Sequence, residues 1–256
     1  MTLPIVNALT DLGQLRGAAG SHRFLADDQN DYIVKFVNGQ NKIAINEIVA
    51  GLIAKKLGLP TPDKVLVNVT RDVIEDSGAL NEGLLQTNPH IGSSVLPKEG
   101  EDFDKFSDEK LASMKLTNAE SVYGIVAFDN WVLNNDRNNR GNNMIIFLPR
   151  NKIHLVMIDF SHCFGSENWS SASLTAIMND KNAVPVFPYI AGLLTEKAKF
   201  ASWLDKIETF EDSQITEILD SIPASWSFPE GEKAILLDFL KTRRDMVRKI
   251  ISNNWR

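Results

Sequence analysis

Residues 117–159 carry the pattern that most constrains the fold of this chain, because a helical run, a polar loop and two strand-like runs follow each other directly. In the first run, Val122, Ile125 and Val126 recur at the spacing of one helix face. The loop 134–143 reads NNDRNNRGNN and has asparagine at six of its ten positions. The runs NMIIFL and KIHLVMIDF then predict a β-hairpin. A loop between a helix and a hairpin is better explained as a structured functional loop than as a linker.

The parts of the chain before and after residue 97 differ in their patterns. The first part is rich in strand-like runs, with a hairpin predicted from HRFLA and YIVKFV and one main helix from NKIAINEIVAGLIAKKL. The second part is mostly helical, and Thr117 and Glu120 have the spacing of a capping box at its first helix. We therefore predict an α+β fold with a small β-rich N-lobe (1–97) and a larger, mainly helical C-lobe (98–256). Helices are predicted in the C-lobe near residues 171–179, 187–194, 196–207, 212–221 and 230–252.

Composition narrows the classes of function. The net charge of −6 argues against broad nucleic-acid binding, which needs a basic face. Cys163 is the single cysteine, so no internal disulfide can form and a reducing compartment fits. The first residues lack the pattern of a signal peptide, and no run approaches the roughly 18 apolar residues of a membrane span. We expect a cytoplasmic protein that binds neither nucleic acid nor a membrane.

The asparagine-rich loop and the end of the hairpin together supply the groups of a phosphoryl-transfer site. Asp136 can accept a proton or orient a hydroxyl group. Asn143 offers a neutral oxygen at the start of the first strand, and Asn142 is an alternative to it. Asp159 ends the second strand with a carboxylate. Mg²⁺ prefers such oxygen ligands and takes one or two carboxylates plus substrate phosphates.

A phosphoryl-transfer site also needs cationic and glycine-containing elements in the first part of the chain. Lys35, in the strand-like run YIVKF, can hold phosphates, and Glu47 follows it by twelve residues on the predicted helix. The turn GAAGS contains Gly17, Gly20 and Ser21 and precedes the Lys35 strand at hairpin distance, where its backbone N–H groups can face phosphates.

In these motifs the chain resembles the HipA-like kinases. The resemblance rests on YIVKFVNGQNKIAINEIVAGLIAKKLGLPTP, FDNWVLNNDRNNRGNN and VMIDFSHCFG, and runs from about residue 15 to about residue 250. It implies a bilobal protein-kinase-like fold, ATP and Mg²⁺ as cofactors, and transfer to serine or threonine of a protein substrate. It also implies a possible antitoxin-like regulatory partner. By this resemblance Lys35 contacts the ATP phosphates and Glu47 holds Lys35, Asp136 is the catalytic aspartate, and Asn143 and Asp159 bind the metal.

The chain also departs from the pattern of ordinary protein kinases. Asp136 follows an asparagine instead of a His-Arg pair, and the gap to Asn143 is seven residues instead of about five. The metal-binding triplet is DFS, and Ser161 allows less backbone freedom than glycine. Ser21 stands where some relatives have an autophosphorylated serine.

Three other functions stay open at this point. They are a nucleotide-binding regulatory module without turnover, a kinase for a small-molecule or lipid hydroxyl, and a metal-dependent hydrolase that uses Asp136 and Asp159. The last leaves Lys35 and Glu47 without a role.

Overall fold

The computed structural model describes residues 2–15, 20–37, 41–96, 100–102, 107–138, 144–147 and 152–255. Its strands are β1 (Ile5–Gln14), β2 (His22–Ala26), β3 (Asp31–Lys35), β4 (Lys64–Asn68), β5 (His90–Ser94), β6 (Gly100–Asp102), β7 (Lys115–Leu116), β8 (Met144–Phe147) and β9 (Lys152–Met157). Its helices are α1 (Asn41–Leu57), α2 (Arg71–Ser77), α3 (Asp108–Ala112), α4 (Ala119–Val132), α5 (Ser171–Ile177), α6 (Pro188–Leu193), α7 (Phe200–Glu208), α8 (Asp212–Asp220) and α9 (Glu230–Asn254).

The N-terminal strands form a closed barrel in the order β1-β2-β3-β5-β4. Alternation in β2 and β3 sends Phe24, Tyr32 and Val34 into the barrel core. Lys35 ends β3 on the opposite face. The β2–β3 hairpin confirms the prediction, whereas β1 and β5 were not predicted because their apolar residues do not form a clear run.

Helix α1 lies between the barrel and the C-terminal helices. Residues 44–54 of this helix are all buried, because one side packs on β4 and β5 and the other packs on α8 and the turn at Cys163–Gly165. The helix ends at Gly58, whose φ of +78° suits a residue without a side chain. Because this helix is buried on two sides, the charged side chain of Glu47 that it carries needs hydrogen-bonding or oppositely charged partners.

In the C-terminal part, α4 is the central helix. It packs against α7 and α9, and its buried residues include Phe128 and Trp131. Strands β8 and β9 form the predicted hairpin, in a sheet with the order β6-β8-β9-β7. At the end of α4, Leu133 has a φ of +51°, which turns the chain out of the helix and into the loop of Asp136.

The predicted capping box of Thr117 and Glu120 is wrong. Asn118 precedes α4 and makes no capping hydrogen bond with its side chain. The hydroxyl of Thr117 instead donates to the carbonyl of Ile153 at 3.0 Å, because the pairing of β7 with β9 brings the two residues together.

The other predicted helices of the C-terminal part are present as α5 to α9, with ends that differ from the predicted ends by up to four residues. The predicted connection near residue 97 lies outside the described residues. Among the helices that the structure describes, none has the length and apolar character needed to cross a membrane.

Candidate active site

Lys35 joins the barrel to the C-terminal part. Its Nζ lies 2.6 Å from Glu47 Oε1 and 2.6 Å from Asp159 Oδ1, although Asp159 is 124 residues away along the chain. Burial alone would lower the pKa of Lys35, but the two carboxylates outweigh burial and raise its pKa above the ordinary value. The lysine is therefore charged, and the structure brings together the three side chains that the sequence pattern predicted for one cleft.

Glu47 is almost fully buried and has three donors. Oε1 accepts from Lys35 and, at 2.9 Å, from the backbone N–H of Phe160, while Oε2 accepts from Lys64 at 2.6 Å. Burial would raise the pKa of Glu47, but the charges of Lys35 and Lys64 hold it well below its usual range. Glu47 is consequently a fixed anion that ties α1 to the backbone beside Asp159.

The segment after β9 is an unusual turn. Asp159 has a φ of +54°, in the left-handed region that few residues other than glycine adopt. Its Oδ1 accepts both from Lys35 and, at 3.1 Å, from the N–H of Ser161. The same carboxylate oxygen thus holds the turn and contacts the lysine.

Asn46, the neighbour of Glu47 on α1, holds the next part of this turn. Its buried amide nitrogen donates to the carbonyls of Ser161, Cys163 and Ser166 at 2.5, 3.0 and 3.1 Å. Its oxygen accepts from the indole N–H of Trp169 at 2.7 Å. Two adjacent residues of one helix therefore fix the segment that contains Asp159.

Asp136 begins a short 3₁₀ turn, Asp136–Asn138, that follows α4. The next residue, Arg137, is buried. Its Nε donates to both carboxylate oxygens of Asp129, at 3.1 and 3.0 Å, and its Nη1 donates to the carbonyl of Ile158 at 2.8 Å. Since Ile158 precedes Asp159, Arg137 holds the loop of Asp136 beside the turn of Asp159.

His162 lies next to Asp136. Its Nδ1 is 3.7 Å from Asp136 Oδ2, 3.5 Å from Glu167 Oε1 and 3.1 Å from the hydroxyl of Ser161. The Asp136 carboxylate is a quarter exposed, so it faces both the imidazole and solvent. This arrangement leaves part of the carboxylate accessible from solvent.

The predicted phosphate turn is described only in part. Gly20 has a φ of +59°, and the carbonyl of Ser21 accepts from the N–H of Leu15 at 2.8 Å, which closes the β1–β2 connection. Gly17, Asn142 and Asn143 lie outside the described residues. Their predicted roles at the phosphates and the metal are therefore not tested by the geometry.

The Asp159 carboxylate has the chemistry needed for a divalent metal. Its Oδ2 has no hydrogen-bond partner among the described residues, and the side chain is 30% exposed. No group of three or more His, Cys, Asp or Glu side chains forms a metal cluster in the part of the chain that the structure describes. This donor set fits Mg²⁺, which takes few protein carboxylates and completes its shell with water and phosphate oxygens.

Four side chains of this site were not predicted from the sequence: Asn46, Lys64, Arg137 and His162. Asn46 interrupts an apolar helix face, and this was a usable signal of a buried polar group. Arg137 and His162 lie within the quoted motifs, beside Asp136 and close to Asp159, but had no predicted role in the site. Lys64 gave no signal, since a lysine at the start of a strand is usually solvated.

Comparisons with known proteins show the family and the fold of this chain. The model of the HipA-like kinase family matches residues 15–255. The structure of CtkA, a proinflammatory kinase of Helicobacter pylori, superposes with a TM-score of 0.65 at 14% identity, covering 99% of this chain and 100% of that chain. Fam20 of hydra, solved with sugar, gives a TM-score of 0.51 at 12% identity, covering 99% and 86%.

A Golgi casein kinase with Mn/ADP bound gives a TM-score of 0.47 at 12% identity, with 99% of this chain and 74% of that chain covered. No curated protein sequence gives a significant match. At 14% identity the similarity to CtkA shows the fold alone, and that fold is kinase-like. Because the family model spans residues 15–255, the chain belongs to the HipA-like kinase family.

Proposed function

We propose that this protein is an ATP- and Mg²⁺-dependent kinase that phosphorylates serine or threonine of a protein substrate. The observation that carries the proposal is the contact of Lys35 with both Glu47 and Asp159, at 2.6 Å each, across the two parts of the fold. Kinases hold ATP phosphates with a strand lysine that is paired to a helix glutamate, and with an aspartate that binds Mg²⁺. Lys35, Glu47 and Asp159 supply these three groups at one place. In this proposal, residues 1–97 form the N-lobe of the kinase and residues 98–256 form the C-lobe.

In this function Lys35 binds the phosphates of ATP, and Glu47 fixes the position of Lys35. Asp159 and Asn143 hold the metal, and Gly17, Gly20 and Ser21 lie at the phosphates. Bound Mg²⁺ supplies charge neutralisation at the phosphate oxygens. The Oδ2 of Asp159, which has no hydrogen-bond partner among the described residues, would be the oxygen available to the metal while Oδ1 keeps its contact with Lys35.

Asp136 orients the acceptor hydroxyl and takes up its proton. The hydroxyl oxygen forms a bond to the γ-phosphorus, the bond from this phosphorus to the bridging oxygen of ADP breaks, and the proton passes to the Asp136 carboxylate. The contacts of Arg137 with Asp129 and Ile158 hold the loop during this step.

Two regulatory features belong to the proposal. Ser21 is a site of autophosphorylation in cis, where added negative charge beside the phosphate turn weakens ATP binding. Intact-mass measurement after incubation with ATP tests this, and an unchanged mass shift in Ser21→Ala contradicts it. An antitoxin-like protein is the proposed regulator, on family membership alone.

Substitution of the catalytic aspartate tests the main proposal. We expect Asp136→Asn to lower phosphate transfer from labelled ATP to a generic protein acceptor by about 10²- to 10⁴-fold, because it removes the proton acceptor. ATP affinity should stay near the wild-type value, since Asp136 does not hold the phosphates. Asp63→Asn, on an exposed surface carboxylate, is the control and should keep full transfer.

The same assay separates the remaining functions. Transfer that persists in Asp136→Asn removes Asp136 from the catalytic role. Mg²⁺-dependent ATP binding without transfer to any acceptor indicates a regulatory module. Label that appears in a small molecule or lipid, and not on protein serine or threonine, would mean that the acceptor is not a protein, while the phosphoryl transfer itself stays as proposed.

A further inference from the structure

Lys64 is a buried lysine that the proposed reaction does not use. It begins β4, and only 3% of its side chain is exposed. Its Nζ donates to Glu47 Oε2 at 2.6 Å and to the hydroxyl of Ser93 at 2.7 Å, and lies 5.2 Å from the ring centre of Phe160. A buried ammonium group is costly unless it is paired. Its ionic partner is the carboxylate that also holds Lys35.

Gly51 gives Lys64 its path to Glu47. Gly51 lies one turn after Glu47 on α1, and a Cβ atom there would be 2.6 Å from Cε and 3.1 Å from Cγ of Lys64. The lysine therefore crosses the helix at the position where no side chain projects. Any side chain at residue 51 would push the ammonium group away from Glu47.

Lys64 also balances the charge of the site. Lys64, Glu47, Lys35 and Asp159 form a continuous chain of ion pairs with two positive and two negative groups. Without Lys64 this row of ion pairs would carry a net negative charge at the place where the phosphates of ATP bind. Glu47 would then have Lys35 as its one cationic partner among the described residues, and would compete with phosphate for it.

We propose that Lys64 is a second cation of the nucleotide site, a positioning residue that neutralises Glu47 from the side away from the cleft and leaves the charge of Lys35 available to phosphate. The inference rests on the proposed function, because it assumes that Lys35 binds ATP. When Lys35 turns to the phosphates, Glu47 keeps an ionic partner and α1 stays in place.

Nucleotide binding to the full chain distinguishes this role from simple stabilisation. We expect Lys64→Met to weaken ATP binding by about tenfold in calorimetric titrations with Mg²⁺, and to leave adenosine binding unchanged, because only phosphates sense the lost charge. Gly51→Ala, which keeps Lys64 but displaces its side chain, should also weaken ATP binding, by a smaller factor. Lys55→Met removes an equal charge from an exposed ion pair on α1 and serves as the matched control.

Each outcome decides the inference. Equal losses for ATP and adenosine in both Lys64→Met and Gly51→Ala mean that Lys64 only stabilises the fold, and unchanged ATP binding in both removes its role. If Lys64→Met does not fold, as judged by circular dichroism, Gly51→Ala decides alone. In the Glu47→Gln background, Lys64→Met should weaken ATP binding much less than in the wild type, because no carboxylate is left to neutralise.

A wild-type chain that binds no ATP overturns the proposed function and this inference together. Normal wild-type binding with no effect of either variant overturns this inference alone.

Discussion

Glu47 and Asp129 are both buried carboxylates in ion pairs, yet their pKa values move in opposite directions. Burial favours the neutral form of each, and Asp129, paired with the single guanidinium of Arg137 at 3.0 Å, keeps a raised pKa. In Glu47 the combined charges of Lys35 and Lys64 overcome burial, and the pKa is lowered. Two cations outweigh burial at Glu47, whereas the one cation beside Asp129 does not outweigh burial there.

The difference follows from where the partners lie in the chain. Arg137 is eight residues from Asp129, so this pair joins a helix to its own following loop. The partners of Glu47 lie on two strands of the barrel and, through the N–H of Phe160, on the turn after β9. The Glu47 cluster therefore connects the two parts of the fold, whereas the Asp129 pair shapes one loop.

The largest expected effect is on stability at Glu47. We expect Glu47→Gln to lower the free energy of unfolding by about 3–5 kcal/mol, because it leaves Lys64 buried without a carboxylate. Urea denaturation at neutral pH measures this. Adding Lys64→Met should recover part of the loss, since the unpaired ammonium group is then gone. If the Glu47→Gln protein were as stable as the wild type, the buried ammonium group of Lys64 would not need the Glu47 carboxylate.

A smaller effect is expected when Arg137 is removed. We expect Arg137→Met to cost about 1–3 kcal/mol, because Asp129, with its raised pKa, can take up a proton and avoid a buried unpaired charge. Phosphate transfer should fall as well, since the loop of Asp136 loses its contact with the carbonyl of Ile158.

The same urea measurement checks Arg137→Met, with Arg137→Lys as the conservative control that keeps a cation near Asp129. A loss equal to that of Glu47→Gln would contradict the comparison. Loss of stability with unchanged transfer would restrict Arg137 to folding.

The contrast between the two clusters also shows how far the sequence could predict the site. Lys35, Glu47 and Asp159 were predictable because each lies on, or just after, an element with clear periodicity, and their order along the chain matched a known chemistry. Lys64 was not predictable, because its role depends on β4 lying beside β5 and on the empty position at Gly51, and both are tertiary features. Strand β1, which closes the barrel, was missed for a local reason, because its apolar residues do not form a clear run.

Local signals failed in a different way at Thr117. Its spacing to Glu120 fits a capping box, in which the Thr117 hydroxyl would accept from the N–H of Glu120. Pairing of β7 with β9 instead places this hydroxyl where it donates to the carbonyl of Ile153. A tertiary hydrogen bond thus replaced a local one. The types of secondary-structure element and the order of the charged groups could be predicted from the sequence. The partners of those charged groups could be identified only from the folded structure.

The smallest expected effect, and the sharpest test of the comparison, is the acid dependence of stability. The folded-state pKa of Glu47 lies below its ordinary value of 4.5, so the unfolded chain binds the proton first and stability is lost as the pH falls below that value. The pKa of Asp129 is raised above 3.8, so its contribution has the opposite sign: the folded state binds the proton more readily, and stability is lost as the pH rises through the folded pKa. Glu47→Gln should therefore flatten the fall in stability between about pH 5 and pH 3.5, by at most about 1.4 kcal/mol per pH unit, and Asp129→Asn should steepen it. Urea midpoints measured across this range decide the matter, with the exposed Glu82→Gln as control. If both buried variants change the slope in the same direction, the number of cationic partners does not determine how these two carboxylates titrate.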